Sequence, residues 1–337
     1  MILKIVIRIF ALAFIAWGFN AIFTKFIWPD ELKKEGPELQ KLLRISDSCD
    51  VIYFGESSNI SYDPVKDLAA GETTSISGLI AKFASNMVVG DITHQAYHAG
   101  IYLSLIKRIP KNSKVKTIIV TLNLRTLDQA CINSGLETAL QKQALYYANQ
   151  PPVWIHLRAA LNDYDNVSEY ERDHQMWKQW ATDKLELEGI KFPYPTIKTW
   201  CEAVKFPLTD GTEDMPKRTL ADHYIKAYAF IVDTNNPRIK DLNEIIEICR
   251  EKRIRLVFNL LAENTHYADS LVGKSLVELI KYNRNFMVSR YQRYGVTVVD
   301  NLEAVEGKDY TDQNWTTEHY NYTGRKIIAG NLAKVLK

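Results

Sequence analysis

The sequence has no Gly-x-Gly-x-x-Gly run and no Walker motif, which removes the usual reasons to expect a nucleotide. Its four cysteines, Cys49, Cys131, Cys201 and Cys249, contain no Cys-x-x-Cys pair, so a zinc ribbon or a thioredoxin-like site has no support. One or two disulfides are compatible with a domain outside the cytoplasm, but spacing alone pairs none of the four. Excess charge is also missing: 42 Lys and Arg against 40 Asp and Glu leave +2, no electrostatic footprint for nucleic acid. The Gly-x-Ser-x-Gly elbow fails because position 59 is Asn. His94 and His98 have zincin spacing, but Gln95 stands where the general base would be and no third ligand follows. Neither a metal nor a cofactor is expected, and no internal repeat or low-complexity segment interrupts the chain.

What is present is an ordinary globular balance, 46 % apolar and 24 % charged residues over 337 positions, with 18 Tyr and 7 Trp. Flat aromatic faces suit sugar rings, and they also fill cores. The amino terminus departs from that balance. Ile9 to Phe23 is apolar except for Asn20. Fifteen helical residues reach only about 22 Å, and adding Ile5 to Ile7 and Phe26 to Trp28 supplies the roughly 20 residues that a bilayer core requires. Arg8 and Lys25 can snorkel at the two ends, and Pro29 is expected to stop the helix. A cleaved signal peptide is the rival reading, but Ala16 and Gly18 interrupt the apolar run rather than follow it. Residues 1–28 therefore read as an uncleaved transmembrane anchor and 29–45 as a stem, with Leu39, Leu42, Leu43 and Ile45 at helical spacing.

The remainder, 46–337, alternates strand and helix patterns. Short β-type runs occur at 51–55, 86–90, 115–122, 254–260 and 296–299. Helices are expected at 76–83, 95–108, 236–251, 270–293 and 324–336. Between about 129 and 235 the pattern becomes helical, Trp- and Tyr-rich and proline-broken, an insertion after which the alternation resumes. Five strands alternating with helices imply an α/β three-layer sandwich around a parallel sheet.

Chemistry concentrates at the ends of two of these strands. Val51 to Phe54 stops at Gly55 and opens into Glu56-Ser57-Ser58-Asn59, and ligands in open α/β sheets bind at the carboxyl ends of strands. Ser57 is placed as a nucleophile, with Ser58 as a rival. Asn123 directly follows the third strand. Near the carboxyl terminus, Trp315-Thr316-Thr317-Glu318-His319 precedes Tyr320-Asn321-Tyr322-Thr323-Gly324. A serine hydroxyl needs a base within hydrogen-bond reach, and His319 has that chemistry. Each residue also has a structural reading: Ser57 as a helix cap, Asn123 as a turn residue, His319 as a surface partner.

Gly55-Glu56-Ser57, Asn123, and His319 with Gly324 together resemble the SGNH (GDSL-like) hydrolase superfamily. The layout is similar to its membrane-anchored, extracytoplasmic members, the D-alanyl-lipoteichoic-acid biosynthesis and alginate O-acetylation proteins. The resemblance implies a flavodoxin-like five-stranded sheet and a Ser57 acyl-enzyme with His319 as base. It implies an oxyanion hole from the Ser57 N–H, the Asn123 side chain and a backbone N–H after strand two, where Ala96 is the choice and Gly100 stands behind it. The expected function is O-acyl transfer, acetyl above all, or ester hydrolysis on a cell-envelope or exported polysaccharide. A membrane-bound O-acyltransferase partner and a single-pass anchor in a bacterial inner membrane, with the domain in the periplasm, come with it.

Two departures stand out. Glu56 replaces the family's aspartate, and Thr316 stands where an aspartate precedes the histidine by three. Asp312 or Glu318 could orient His319 instead, or Ser57 and His319 could act as a dyad. The same gap suits a catalytically silent glycan-binding or assembly protein, and a plain secreted esterase is a third reading. His94, His98 and Asn264 are the expected substrate contacts. Asn166, Asn314 and Asn321 open glycosylation-type triplets, two of them flanking His319, where a glycan would block the site; this favours a bacterial source or chance matches.

Overall fold

The computed structural model describes residues 2–61, 74–164, 167–311, 313 and 315–337. Asp312, Asp165 and the glycosylation-type residues Asn166 and Asn314 therefore lie outside the described residues.

Five strands form one parallel sheet: β1 (Val51–Gly55), β2 (Val89–Thr93), β3 (Thr117–Leu122), β4 (Arg255–Leu260) and β5 (Thr297–Asp300), in the order β2-β1-β3-β4-β5. β1 pairs with β2 through Val51↔Val89 and with β3 through Val51↔Thr117. The strand residues alternate between two cores, as a period of two requires. Ile52, Phe54, Ile118, Val120, Phe258 and Leu260 face one side. Val51, Tyr53, Ile119 and Val257 face the other. The first face is covered by α5 (Ala99–Lys107), α12 (Pro237–Lys252) and α14 (Lys274–Arg293). The second is covered by α4 (Ile76–Phe83) and α15 (Tyr322–Leu336). This is the three-layer α/β sandwich expected from the sequence. Each fully buried Ile, Val or Phe of the strands contributes about 1.5–3 kcal/mol by leaving water.

Several expected boundaries move, for identifiable reasons. β2 starts at Val89 rather than 86 and runs past Gly90 through Asp91 to Thr93, as an edge strand with one side half exposed can. The helix expected at 270–293 is two, α13 (Thr265–Leu271) and α14, separated at Gly273 with φ of 107°. α5 begins at Ala99, not 95. Pro29 does not end the amino-terminal helix. α1 (Ile2–Phe26) ends before it, and Pro29 sits in the first turn of α2 (Trp28–Glu35), where its missing N–H costs nothing. α3 (Pro37–Ser46) follows and buries Leu39 and Leu42 against the sandwich. α1 is long and apolar enough to cross a membrane, and none of its residues is buried.

Between β3 and α12 the chain is helical: α6 (Gln129–Ile132), α7 (Gly135–Tyr147), α8 (Pro152–Ala160), α9 (Glu169–Ala181), α10 (Ile197–Ala203) and α11 (Met215–Tyr228). These helices wall the carboxyl-terminal edge of the sheet. All four cysteine thiols are free.

Candidate active site

The strand order reverses between β1 and β3, and the crevice above such a switch point is where open α/β sheets bind ligands. β1 ends at Gly55, and one turn of 3-10 helix, Ser57–Asn59, follows it. Asn59 pins that turn: its amide donates to Ser77 Oγ (3.1 Å) and Thr93 Oγ1 (2.7 Å), and its Oδ1 accepts from Ser77 N–H (2.9 Å). The turn divides the two serines. Ser58 is 0 % exposed and packs inward, whereas Ser57 lines a cavity of about 640 Å³. His319 Nε2 lies 3.0 Å from Ser57 Oγ, the reach a serine–base pair needs. His319 is held from behind. Its carbonyl accepts from Thr311 N–H (2.9 Å), and the next residue, Tyr320, donates through its hydroxyl to Ala262 O (2.8 Å). Gly324 allows the close fit of α15 here, since a Cβ at that position would sit 2.9 Å from Tyr320 Cβ and 3.1 Å from Asp309 O.

Asn123 has an orientation that the sequence did not indicate. Its Nδ2 donates to Glu56 Oε1 (2.9 Å) and to Glu318 Oε2 (3.0 Å), and its Oδ1 accepts from Arg125 N–H (2.9 Å). With a donor on one side and carboxylates on the other, the amide can point only one way. Both of its hydrogens are committed to carboxylates rather than presented beside Ser57. Glu318 in turn is clasped by Arg125, whose Nε and Nη2 donate at 2.5 and 2.6 Å. Its carboxylate is therefore directed at Arg125 and Asn123, not at the imidazole of His319. Tyr228, from α11, donates to Glu263, and its hydroxyl is 3.4 Å from Glu318 Oε1.

The result is a buried cluster of Glu56, Glu263 and Glu318 with the guanidinium of Arg125 bonded to it through Glu318. Burial, and then the Glu318 charge, push Glu56 up to about 7. The same two causes push Glu263 well above the usual carboxylate range. Arg125, Tyr228 and Glu263 did not stand out in the sequence. The readable signals were an arginine two residues beyond Asn123 and a glutamate ending the strand-four loop.

The backbone donors are better placed. Ala96 lines the same cavity with φ of 60°, in the left-handed region that a residue with a Cβ occupies only at a cost of order 1–3 kcal/mol. Among the described residues neither the Ala96 N–H nor the Ser57 N–H is given to a hydrogen bond. Gly100 is not available for that role, because its N–H donates to His98 Nδ1 (3.2 Å) as the cap of α5.

The remaining expected contacts divide. His98 lines the cavity but is buried, with Nε2 3.2 Å from Glu137, which also holds Arg238 at 2.6 Å. Burial lowers the His98 pKa more than Glu137 raises it. His94 is exposed, contacts Gln95 O at 2.9 Å, stacks on Tyr97 and is not part of the cavity wall. The stretch from His94 to His98 is a turn, so the two rings share no helix face and the zincin spacing has no geometric meaning. Asn264 caps α13 by accepting from Tyr267 N–H (3.1 Å) and borders a separate depression with Glu306 and Gly307.

The insertion supplies much of the cavity wall: Leu136 and Leu140 from α7, Trp180 from α9, and His223 and Lys226 from α11. The His223 ring lies 3.7 Å from the Trp315 ring, and Lys226 sits over Trp180 at 5.1 Å. Cys131 also borders the cavity, but burial pushes its thiol up to about 12, which leaves it no thiolate to act as nucleophile.

No family model matches the chain, and no curated protein matches it at a significant level. Solved structures with loose likeness include a candidate lipolytic protein of the G-D-S-L family from Desulfitobacterium hafniense, at 9 % identity, 85 % coverage of this chain, 98 % of that one and a TM-score of 0.38. The lipase/acylhydrolase of Enterococcus faecalis matches at 10 % identity over 85 % and 94 % of the two chains, with a TM-score of 0.37. A candidate acylhydrolase of Bacteroides fragilis matches at 9 % identity over 85 % of each chain, with a TM-score of 0.34. At these scores the likeness assigns no residue and no reaction to this chain.

Proposed function

We propose that this chain is a serine-dependent acyl-ester enzyme of SGNH type, and the 3.0 Å approach of His319 Nε2 to Ser57 Oγ is the observation that carries the reading. Ser57 Oγ attacks the ester carbonyl while His319 Nε2 takes its proton. The carbon–oxygen bond to the leaving alcohol then breaks, and the imidazolium returns the proton to that alkoxide. A water molecule or an acceptor hydroxyl repeats the sequence on the Ser57 ester, giving hydrolysis or transfer. The base contributes about 10²–10⁴-fold. The backbone N–H groups of Ser57 and Ala96 meet the oxyanion, and each such donor is worth about 10²–10³ in rate. Arg125 and Glu318 fix the loop that carries His319, with the Glu318 carboxylate bound to Arg125 and Asn123.

The proposed substrate is an O-acyl group, acetyl first, on a cell-envelope glycan. Supporting this are Trp180 and Trp315 in the cleft wall, flat surfaces on which sugar rings stack, and the resemblance to anchored glycan-modifying proteins. In that reading α1 anchors the chain in a bacterial inner membrane, the domain is periplasmic, and a membrane-bound O-acyltransferase supplies the acyl group. One observation favours a second reading, a silent glycan-binding or assembly protein: both Asn123 amide hydrogens are held by carboxylates.

A fluorophosphonate probe separates the two. The catalytic reading expects a covalent adduct that peptide mapping places on Ser57 and that His319→Ala abolishes. An unlabelled Ser57 in folded protein would favour the silent reading.

A further inference from the structure

α8 is a short helix with two unlike sides. Ile155 is fully buried, and His156 is held by Glu31 of α2 at 2.5 Å. Val153, Trp154, Leu157 and Leu161 face outward at 40, 51, 45 and 69 % exposure. Residues 154, 157 and 161 follow the i, i+3, i+7 spacing of one helix face, with 153 beside them. Four large apolar side chains on so short a helix make an unusual surface for contact with water.

The position of α8 indicates what covers it. The helix packs directly on the carboxyl-terminal part of α1, the candidate membrane span. Asn20 Oδ1, in α1, accepts from the Val153 N–H at 3.5 Å, satisfying one of the free donors of the first turn of α8. The rings of Phe23 and His156 meet edge to face at 4.9 Å. Trp28, just beyond the end of α1, stacks on Tyr146 of α7 at 5.7 Å. Asn20 lies six residues before Phe26, which puts the start of α8 on the order of 9 Å below the end of the span. Interfacial helices bury their apolar faces about 5–10 Å into the boundary between headgroups and acyl chains. If α1 crosses the bilayer, α8 is already at that depth, with Trp154 of the residue type that favours it.

We infer that α8 is an interfacial helix whose Val153, Trp154, Leu157 and Leu161 face inserts into the outer edge of the bilayer beside α1, docking the domain on lipid. The inference rests on reading α1 as a span. It adds a pose to the anchor. A lone span followed by a hinge would let the domain tumble, whereas α1 and α8 together fix two directions. α7 carries that pose to the active site, because Leu136 and Leu140 near its start line the Ser57 cavity while Tyr146 and Tyr147 at its end pack on the stem. Eleven residues of helix separate Leu136 from Tyr147, so the cleft is held on the order of 15 Å from the docked helix. An active site at that fixed height suits an acyl donor presented at the membrane surface.

The test uses the full chain in lipid nanodiscs with a photoreactive benzoylphenylalanine at Leu157 or Leu161. Position Ile9 in α1 serves as a control for the span and Lys240 on α12 as a control in water. After illumination, intact mass is expected to show single-lipid adducts at 157, 161 and 9, and none at 240. Lipid adducts at 9 with none above the 240 background at 157 and 161 would overturn the inference while leaving the span intact. No adduct at 9 would instead remove the span and the inference with it. Cross-linked dimers through 157 or 161 would assign the face to a second copy of the chain and would also overturn it.

Discussion

Arg125 clasps Glu318 with two nearly parallel bonds of 2.5 and 2.6 Å, one residue before the histidine that faces Ser57. The pair joins the loop after β3 to the carboxyl-terminal loop, and Arg125 is its cationic member, beside the other buried carboxylates. Arg125→Ala takes that positive charge away from Glu318 and from the neighbouring Glu56 and Glu263. The expected cost is about 3–5 kcal/mol of folding stability, the usual penalty for breaking a buried pair from one side. Arg125→Lys recovers only part of it, because an ammonium cannot reproduce the planar two-pronged contact. Denaturant titration of the two variants against wild type checks this, and an Arg125→Lys variant as stable as wild type would contradict it.

Asn123→Ala is expected to act on stability before it acts on rate. Two carboxylates lose a shared donor in a buried setting, a loss of about 1–3 kcal/mol. If the amide turned to serve the oxyanion during reaction, the variant would instead lose about 10²–10³ in kcat with its stability unchanged. Measuring both quantities on one preparation distinguishes the two roles.

The pH dependence of stability has a definite sign. Glu56 is raised from 4.5 to about 7, so the folded chain holds this proton more tightly than the unfolded chain does. Its contribution to stability therefore falls as pH rises from about 4.5 to about 7, and is level above that. Asp128, which burial pushes to about 7, adds the same sign. Thermal unfolding at pH 5 and pH 8 should show wild type losing more stability across the interval than Glu56→Gln. An equal or larger loss in the variant would contradict the assignment.

Gly324→Ala tests the packing behind His319. The added methyl would meet Tyr320 Cβ at 2.9 Å and Val305 Cγ1 at 3.1 Å, closer than side chains settle. Overpacking of this kind costs about 1–3 kcal/mol. The shift is expected to fall on the His319–Tyr320 loop and to lower esterase turnover beyond the loss of folded protein. Full specific activity in the folded fraction would show that the loop tolerates the change.

What was legible in the sequence depended on burial. β1, β3 and β4 are covered on both faces, so they read as apolar runs that end in polar turns, and Ser57 and Asn123 were singled out by their place after those runs. β2 was misplaced by three residues because an edge strand admits a polar residue such as Asp91 in its middle. Ser57 and His319 are 262 positions apart, and serine–base chemistry and a family resemblance, not local spacing, joined them before the fold did. The charge cluster was not legible. Glu56, Arg125, Tyr228, Glu263 and Glu318 come from five separate segments, and no local spacing connects a carboxylate after β1 to a tyrosine at the end of the insertion. Glu318 was suspected as a partner for His319. The guanidinium of Arg125, two residues past Asn123, takes that carboxylate instead.

The most direct test of the account is intact mass spectrometry of the full chain after exposure to p-nitrophenyl acetate, beside Ser57→Ala and Ser58→Ala. The account predicts a one-acetyl adduct or turnover in wild type and in Ser58→Ala, and neither in Ser57→Ala, with His319→Ala slowed by about 10²–10⁴-fold. Acetylation or turnover that survives intact in Ser57→Ala would contradict it, and would show that the contact between Ser57 and His319 is not the reacting pair.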